Sequence, residues 1–284
     1  MAFIALLLRI VSNPLANVFE KKLTAAGVSA SLVNFGAYAV AFFAGCIAVW
    51  LCGANCSFAA DTLAACLRVG ILGATGNFFL VKALEYGELS VLGPINSYKA
   101  LFGMLFAFFV LGECPDVLGF CGVAVMVVGS YFVIGFGGGF KFSAAEGRAV
   151  LYRILALVFS ALESVFIKEV INASSAEFGF AAWAGAGMLF SLPLLLIPQR
   201  GRVSGAAFCA ANLKMLLAAG ACVSVMQLST NWVFASIQVG YALALFQLSS
   251  VLSVIFGMLF FGEKHIARKL FGSALMCAGA VLIL

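Results

Sequence analysis

An all-α integral membrane fold, with ten transmembrane helices arranged as two inverted five-helix repeats, is what this sequence predicts, and three observations carry the prediction. Its residues are 64% hydrophobic and only 10% charged, with a mean hydropathy of +1.16, far more apolar than soluble domains, which are roughly half apolar and a quarter charged. Apolar runs long enough to cross a hydrocarbon core, which takes about 20 residues for roughly 30 Å, follow one another almost end to end. The chain also repeats itself. "NVFEKKL" (17–23) returns as "SVFIKEV" (164–170) after 147 positions, and "FFVLGE" (108–113) returns as "MLFFGE" (258–263) after 150.

The ten spans fall at 2–20, 31–52, 62–83, 89–111, 116–136, 149–170, 178–198, 211–236, 240–261 and 266–284. Turn-rich or charged clusters separate them, among them "CGANCS", "EYGE", "GECPD", "INASSAE", "PQRGRVSG" and "FGEKHIARK". The Gly-rich stretch divides the chain near its middle, giving a first repeat at 1–136, a linker at 137–148 and a second repeat at 149–284. Five is odd, so a duplicated unit enters the membrane in opposite senses, an arrangement that places a binding site at the repeat interface near mid-bilayer. In the fifth span of each half, Gly122 and Gly129 match Gly272 and Gly279, a spacing that lets helices pack closely.

Composition also excludes several classes. The first span lacks a basic n-region and carries Arg9, Asn13 and Asn17, so it reads as a helix rather than a cleaved signal peptide. A net charge of +5, scattered over short loops, forms no basic face for nucleic acid. Most of the nine cysteines sit in apolar runs as small hydrophobes; Cys52 and Cys56 alone have a spacing that could chelate or bridge. The lone His265 lacks a second histidine for a zinc motif. Ser97 and Lys99 lie two apart, on different sides of a helix, and cannot act together locally as a hydrolytic pair. No enzyme, metal or cofactor is therefore expected.

The Lys-ended first span of each half, with "ALEYGELSVLGPINSYKALFGMLFAFFVLGE" (83–113) and its echo "ASIQVGYALALFQLSSVLSVIFGMLFFGE" (235–263), each followed by a glycine-spaced span, resembles the EamA-like drug/metabolite transporter superfamily over essentially the whole chain. The resemblance implies a carrier for small metabolites and leaves the cargo open.

Polar residues inside the spans are the candidate site. Arg9, Asn13, Asn17 and Lys21 recur every fourth position and share roughly one helix face; the 147 offset pairs Asn13 with Ser160, Asn17 with Ser164 and Lys21 with Lys168. Unpaired in hydrocarbon such groups would cost several kcal/mol each, so they turn to the bundle interior. Lys99, about ten residues into the fourth span, costs on the order of 2.5 kcal/mol or more to insert and needs Glu20, Glu85, Glu163, freed backbone carbonyls beside Pro94, water or an anionic substrate for compensation. Lys99, Asn96, Tyr98, Asn13, Asn17, Asn77, Ser160, Ser164 and Gln247 are the expected substrate-binding residues. Glu163, Lys21 and Lys168 are the expected coupling or gating residues, with Glu163 placed to carry a proton and both lysines equally able to snorkel as anchors. Tyr86, Gln227, Asn231 and Tyr241 are further polar candidates, and Glu113 and Glu263 are candidates for a gate.

Twelve basic residues gather on the side of the odd-numbered connections and four elsewhere. The positive-inside rule then puts both termini outside, whereas the family resemblance puts them in the cytoplasm; the charge count is favoured. The expected protein is a secondary active transporter moving a small polar metabolite, anionic or zwitterionic, by alternating access. Its partners are that small molecule, the lipid bilayer and protons as a coupling ion, as a monomer or homodimer, and its place is the cell membrane, the inner one if the source is bacterial. A lipid or headgroup flippase, or a membrane accessory subunit, is the alternative.

Overall fold

The computed structural model describes residues 2–99, 101–102, 117–134, 144–196, 209–237 and 239–282, and these are helical with short connections. Chain order is α1 (Ala2–Ala25), α2 (Ala30–Cys52), α3 (Ala60–Tyr86), α4 (Leu89–Ile95), α5 (Val117–Ile134), α6 (Ala144–Ala173), α7 (Ala176–Ser191) with a 3-10 turn at Pro193–Leu196, α8 (Ala210–Ser236), α9 (Val239–Phe246), α10 (Ser249–Phe261) and α11 (Ile266–Leu282). Among the described residues, seven helical segments are long and apolar enough to cross a membrane, and Val117–Val133 is a shorter apolar helix. Glu113, the "FFVLGE" segment and residues 137–143 of the expected linker lie outside the described residues.

Local chemistry sets several helix ends. Ser29 caps α2 by accepting from the Leu32 amide, and Ser175 does the same for α7 from Phe178. Gly53 and Gly262 close α2 and α10 in the left-handed conformation that a Cβ disfavours. The sixth expected span is longer than its apolar core: α6 begins at Ala144, not at 149, because amphipathic "AAEGRAV" continues the helix beyond the hydrocarbon-length run.

Two helices are broken at matching places. After α4 the amides of Asn96 and Ser97 bond to Gly93 and Pro94 three residues back, at 3.0 and 2.9 Å; after α9 those of Gln247 and Leu248 bond to Ala244 and Leu245, at 3.0 and 3.2 Å. Tightening to i→i−3 leaves the carbonyls of Leu92 and Leu243 without their helical donors. Pro94 contributes to the first break because it has no amide to offer the preceding turn. The second break has no proline.

The most extensive helix packing joins α3 to α6, α1 to α8, α2 to α7 and α5 to α11. Backbones touch in the last pair: a methyl at Gly272 would stand 2.6 Å from the Gly129 carbonyl oxygen, and one at Gly129 2.8 Å from that of Gly272. Outward faces carry large exposed apolar side chains such as Phe43, Trp50 and Leu259, as expected where lipid is the solvent. Gly272→Leu is therefore expected to cost about 1–3 kcal/mol or to prevent folding, lowering the thermal midpoint in detergent. Val128→Leu on the exposed face of α5 should leave that midpoint unchanged.

Candidate functional site

A cavity of about 110 Å³ lies at mid-depth between the helices, against both breaks. Seven expected site residues line it: Asn13, Asn77, Asn96, Lys99, Ser160, Glu163 and Gln247. Arg9, Tyr38, Arg153, Trp183 and Gln227 complete its polar wall, and Gly73, Met226, Leu243 and Phe246 are among the rest.

The helix breaks organise this wall. Arg153 donates from Nε to the orphaned Leu92 carbonyl at 3.0 Å and from Nη2 to Asn96 Oδ1 at 2.9 Å. At the second break Gln247 supplies its own remedy, donating from Nε2 to the Leu243 carbonyl at 2.7 Å. Asn96 Nδ2 then donates to Gln247 Oε1 at 3.3 Å, so the two breaks touch. Asn13 reaches Ser249 at 3.4 Å, and Asn77 donates to Asn34 at 2.8 Å.

Charge is concentrated on one side. Lys99 and Glu163 interact electrostatically across the cavity, and Glu163 also accepts a hydrogen bond from the Trp183 indole. Tyr38 packs on Trp183 with ring centroids 4.6 Å apart. Gly73 permits this cluster, since a methyl there would lie 2.9 Å from the Tyr38 hydroxyl and 3.0 Å from Glu163 Oε1. Buried Glu20 interacts electrostatically with Arg153 behind the wall. Glu85 is taken by Lys82 at 3.2 Å. Arg9 lies over the Phe246 ring at 4.8 Å, and its Nε and Nη1 reach no acceptor among the described residues.

Five expected residues lie elsewhere. Tyr98 turns to α5 and donates to Ser130 at 2.9 Å. Ser164 bonds back to the Ser160 carbonyl at 2.8 Å. Asn17 is buried off the cavity wall, and Lys21 reaches the end of α10 instead. The four-residue spacing explains both of the last two, because each step of four advances about 40° around a helix of 3.6 residues per turn; Arg9 and Asn13 face the cavity, and the stripe then rotates away. Lys168 donates to the Phe234 carbonyl at the opposite end of the bundle from Lys21.

Arg153 is the main residue that sequence reading missed. In a span of 149–170 it stands near the end, as a terminal cation would; α6 begins at Ala144, which leaves it nine residues in and 4% exposed. Tyr38 and Trp183 gave no polar signal, being hard to tell from core aromatics, although the glycine at position 73 marks a close approach in retrospect.

Toward one end of the bundle two layers of contacts lie beyond the cavity. Val18, Ala83, Leu84, Leu89, Leu92, Ile95, Ala149 and Leu157, from α1, α3, α4 and α6, form a fully buried apolar plug. Beyond it Glu263 accepts from the Leu89 and Ser90 amides, each at 2.8 Å, and from Lys21 Nζ at 2.8 Å. The carboxylate thus holds the positive N-terminal end of α4 to α10 and α1. Lys21 also covers the Phe261 ring at 4.5 Å, and buried Lys269 joins Glu88 and Ser90 beside it.

Burial alone would raise the Glu263 carboxyl, but the bonds from Lys21 and Ser90 and the lysine charge outweigh it and hold the group below its ordinary 4.5. A depressed folded value means that its stabilisation is complete above pH 4.5 and lost as pH falls through the lower folded value. Glu263→Gln should therefore cost about 2 kcal/mol at neutral pH. Thermal midpoints of the two proteins, measured from pH 7 down to pH 3, should converge below 4.5.

Known proteins share the fold and the family. A protein of Lactococcus lactis subsp. lactis (strain IL1403) called "Putative sugar uptake protein YxfA" is 26% identical over 249 residues, 75% of this chain and 76% of its own. A crystal structure 16% identical superposes with a TM-score of 0.66, covering 98% of this chain and 95% of that one, and so shares the fold. The EamA-like transporter family model matches residues 2–135 and again 147–284. With this match over nearly its whole length and its long apolar helices, the chain is a multi-pass integral membrane protein and belongs to the EamA-like transporter family.

Proposed function

We propose that the protein is a secondary active carrier that moves a small polar metabolite, anionic or zwitterionic, by alternating access between two inverted five-helix halves, 1–136 and 149–284, joined by the 137–148 linker. The paired helix breaks carry this reading. Asn96–Ser97 and Gln247–Leu248 are 151 positions apart, use the same i→i−3 bonding and meet at one polar cavity, the arrangement in which discontinuous helices present backbone and side-chain groups to a solute. Helix packing supports the symmetry: exchanging the halves turns α3·α6 into α1·α8 and leaves α2·α7 and α5·α11 as self-related pairs.

On this reading Lys99 contacts the negative group of the cargo, while Asn13, Asn77, Asn96, Ser160 and Gln247 hydrogen-bond its polar body. Glu163, held by Trp183 and facing Lys99, carries the coupling proton, and a cargo anion competes with it for the lysine. Tyr98, Asn17 and Ser164 support the helices around them. The plug and the Lys21–Glu263 contact form the gate at one end, and Lys168 on the Phe234 carbonyl steadies the other. The end bearing Glu263 faces the cytoplasm, because the basic residues gather there. The Lactococcus relative named for sugar uptake supports import of a hydroxylated solute.

Flux of labelled sugars, sugar acids and amino acids into liposomes containing the purified chain tests the proposal. A pH gradient should drive uptake, Lys99→Ala should reduce it at least tenfold, and Glu163→Gln should abolish the pH drive while leaving exchange. Lys99→Ala transporting at the rate and affinity of the unsubstituted chain would remove Lys99 from the site, and no flux of any solute would remove the carrier.

A further inference from the structure

We infer that Arg9 forms a carboxylate subsite in the cavity beside Lys99, so that the negative group of the cargo is a carboxylate held by both cations. Three cations stand at the cavity, Arg9, Lys99 and Arg153, with two carboxylates beside them, Glu163 and Glu20. Arg153 is committed to the Leu92 carbonyl, to Asn96 and, electrostatically, to Glu20; Lys99 is balanced by Glu163. Arg9 is the cation left over among these groups. Two of its nitrogens are buried with no acceptor among the described residues, and its Cζ lies 4.8 Å from the centre of the Phe246 ring on the cavity wall.

Buried guanidinium donors without an acceptor are costly inside a membrane-spanning bundle, and an acceptor brought by a ligand would offset that cost. A carboxylate supplies the missing acceptors, and its planar pair of oxygens matches the guanidinium. A neutral sugar leaves Arg9 as it is. Asn13, one turn along α1, and Gln247 lie on the same cavity and offer neutral contacts to the rest of the molecule. The inference deepens the carrier reading and rests on it for regarding the bound carboxylate as cargo.

Thermal midpoints of the full chain in detergent, with sodium acetate or sodium pyruvate against acetamide and sodium chloride at matched ionic strength, test it. Near ten times the apparent Kd, the carboxylates should raise the midpoint by about 2 °C, with acetamide and chloride giving no shift. Arg9→Gln should lose the shift, and Arg9→Lys should keep it with apparent affinity at least tenfold weaker. Acetamide matching acetate, no carboxylate shift at all, or Arg9→Gln retaining the shift overturns the subsite. If Arg9→Gln does not fold, Arg9→Lys with unchanged affinity overturns it instead. Carboxylate binding without flux in liposomes would keep the subsite and remove the carrier; flux of neutral solutes without carboxylate binding would do the reverse.

Discussion

Hydrocarbon offers no partner to a backbone carbonyl, so each interruption of a helix at mid-depth must be answered from within the protein. Much of the cavity follows from meeting that demand twice. Leu92 receives the Arg153 guanidinium and Leu243 the Gln247 amide. Fixing Arg153 in this way orients Asn96, and Asn96 in turn meets Gln247. A polar wall thus arises as the by-product of satisfying two broken backbones, and the charged residues around it inherit their positions from that repair.

The same helices that carry the breaks also carry the closure. Along α4 the chain runs from the cavity at Asn96 through buried Ile95, Leu92 and Leu89 to the carboxylate of Glu263. Buried apolar contacts lie between the cavity and the bundle end. Charge-assisted hydrogen bonds hold the end itself, and these are directional and break within a small displacement. Motion of α4 relative to α1 and α10 would therefore couple the site to the seal without an intermediary.

Much of the fold was legible because lipid imposes a simple rule: long apolar runs become helices, and turn residues end them. The glycine spacing of Gly122 and Gly129 against Gly272 and Gly279 correctly announced a close helix pair, since only missing side chains allow carbonyl oxygens that near. The site was legible in part. Lys99, Glu163 and the Asn and Gln residues of the breaks could be found from the cost of burying them. Arg153 could not, because a boundary misplaced by five residues turned a buried cation into a surface one. Asn17 and Lys21 were overreached for the opposite reason, a four-residue period read as a straight line when it is a spiral.

The two repairs differ in origin, and that difference bears on how the molecule came to be. The Leu243 carbonyl is served from four residues away, whereas the Leu92 carbonyl borrows a guanidinium from beyond the mid-chain linker. The 147-residue offset puts Leu6 where a copy of the first half would need Arg153. Paired with its own twin, the first half would expose a bare acceptor at a cost of about 1–3 kcal/mol, while the second half would not. For this one acceptor the amino-terminal segment leans on its carboxy-terminal sibling, while the matching acceptor in the sibling is served from within.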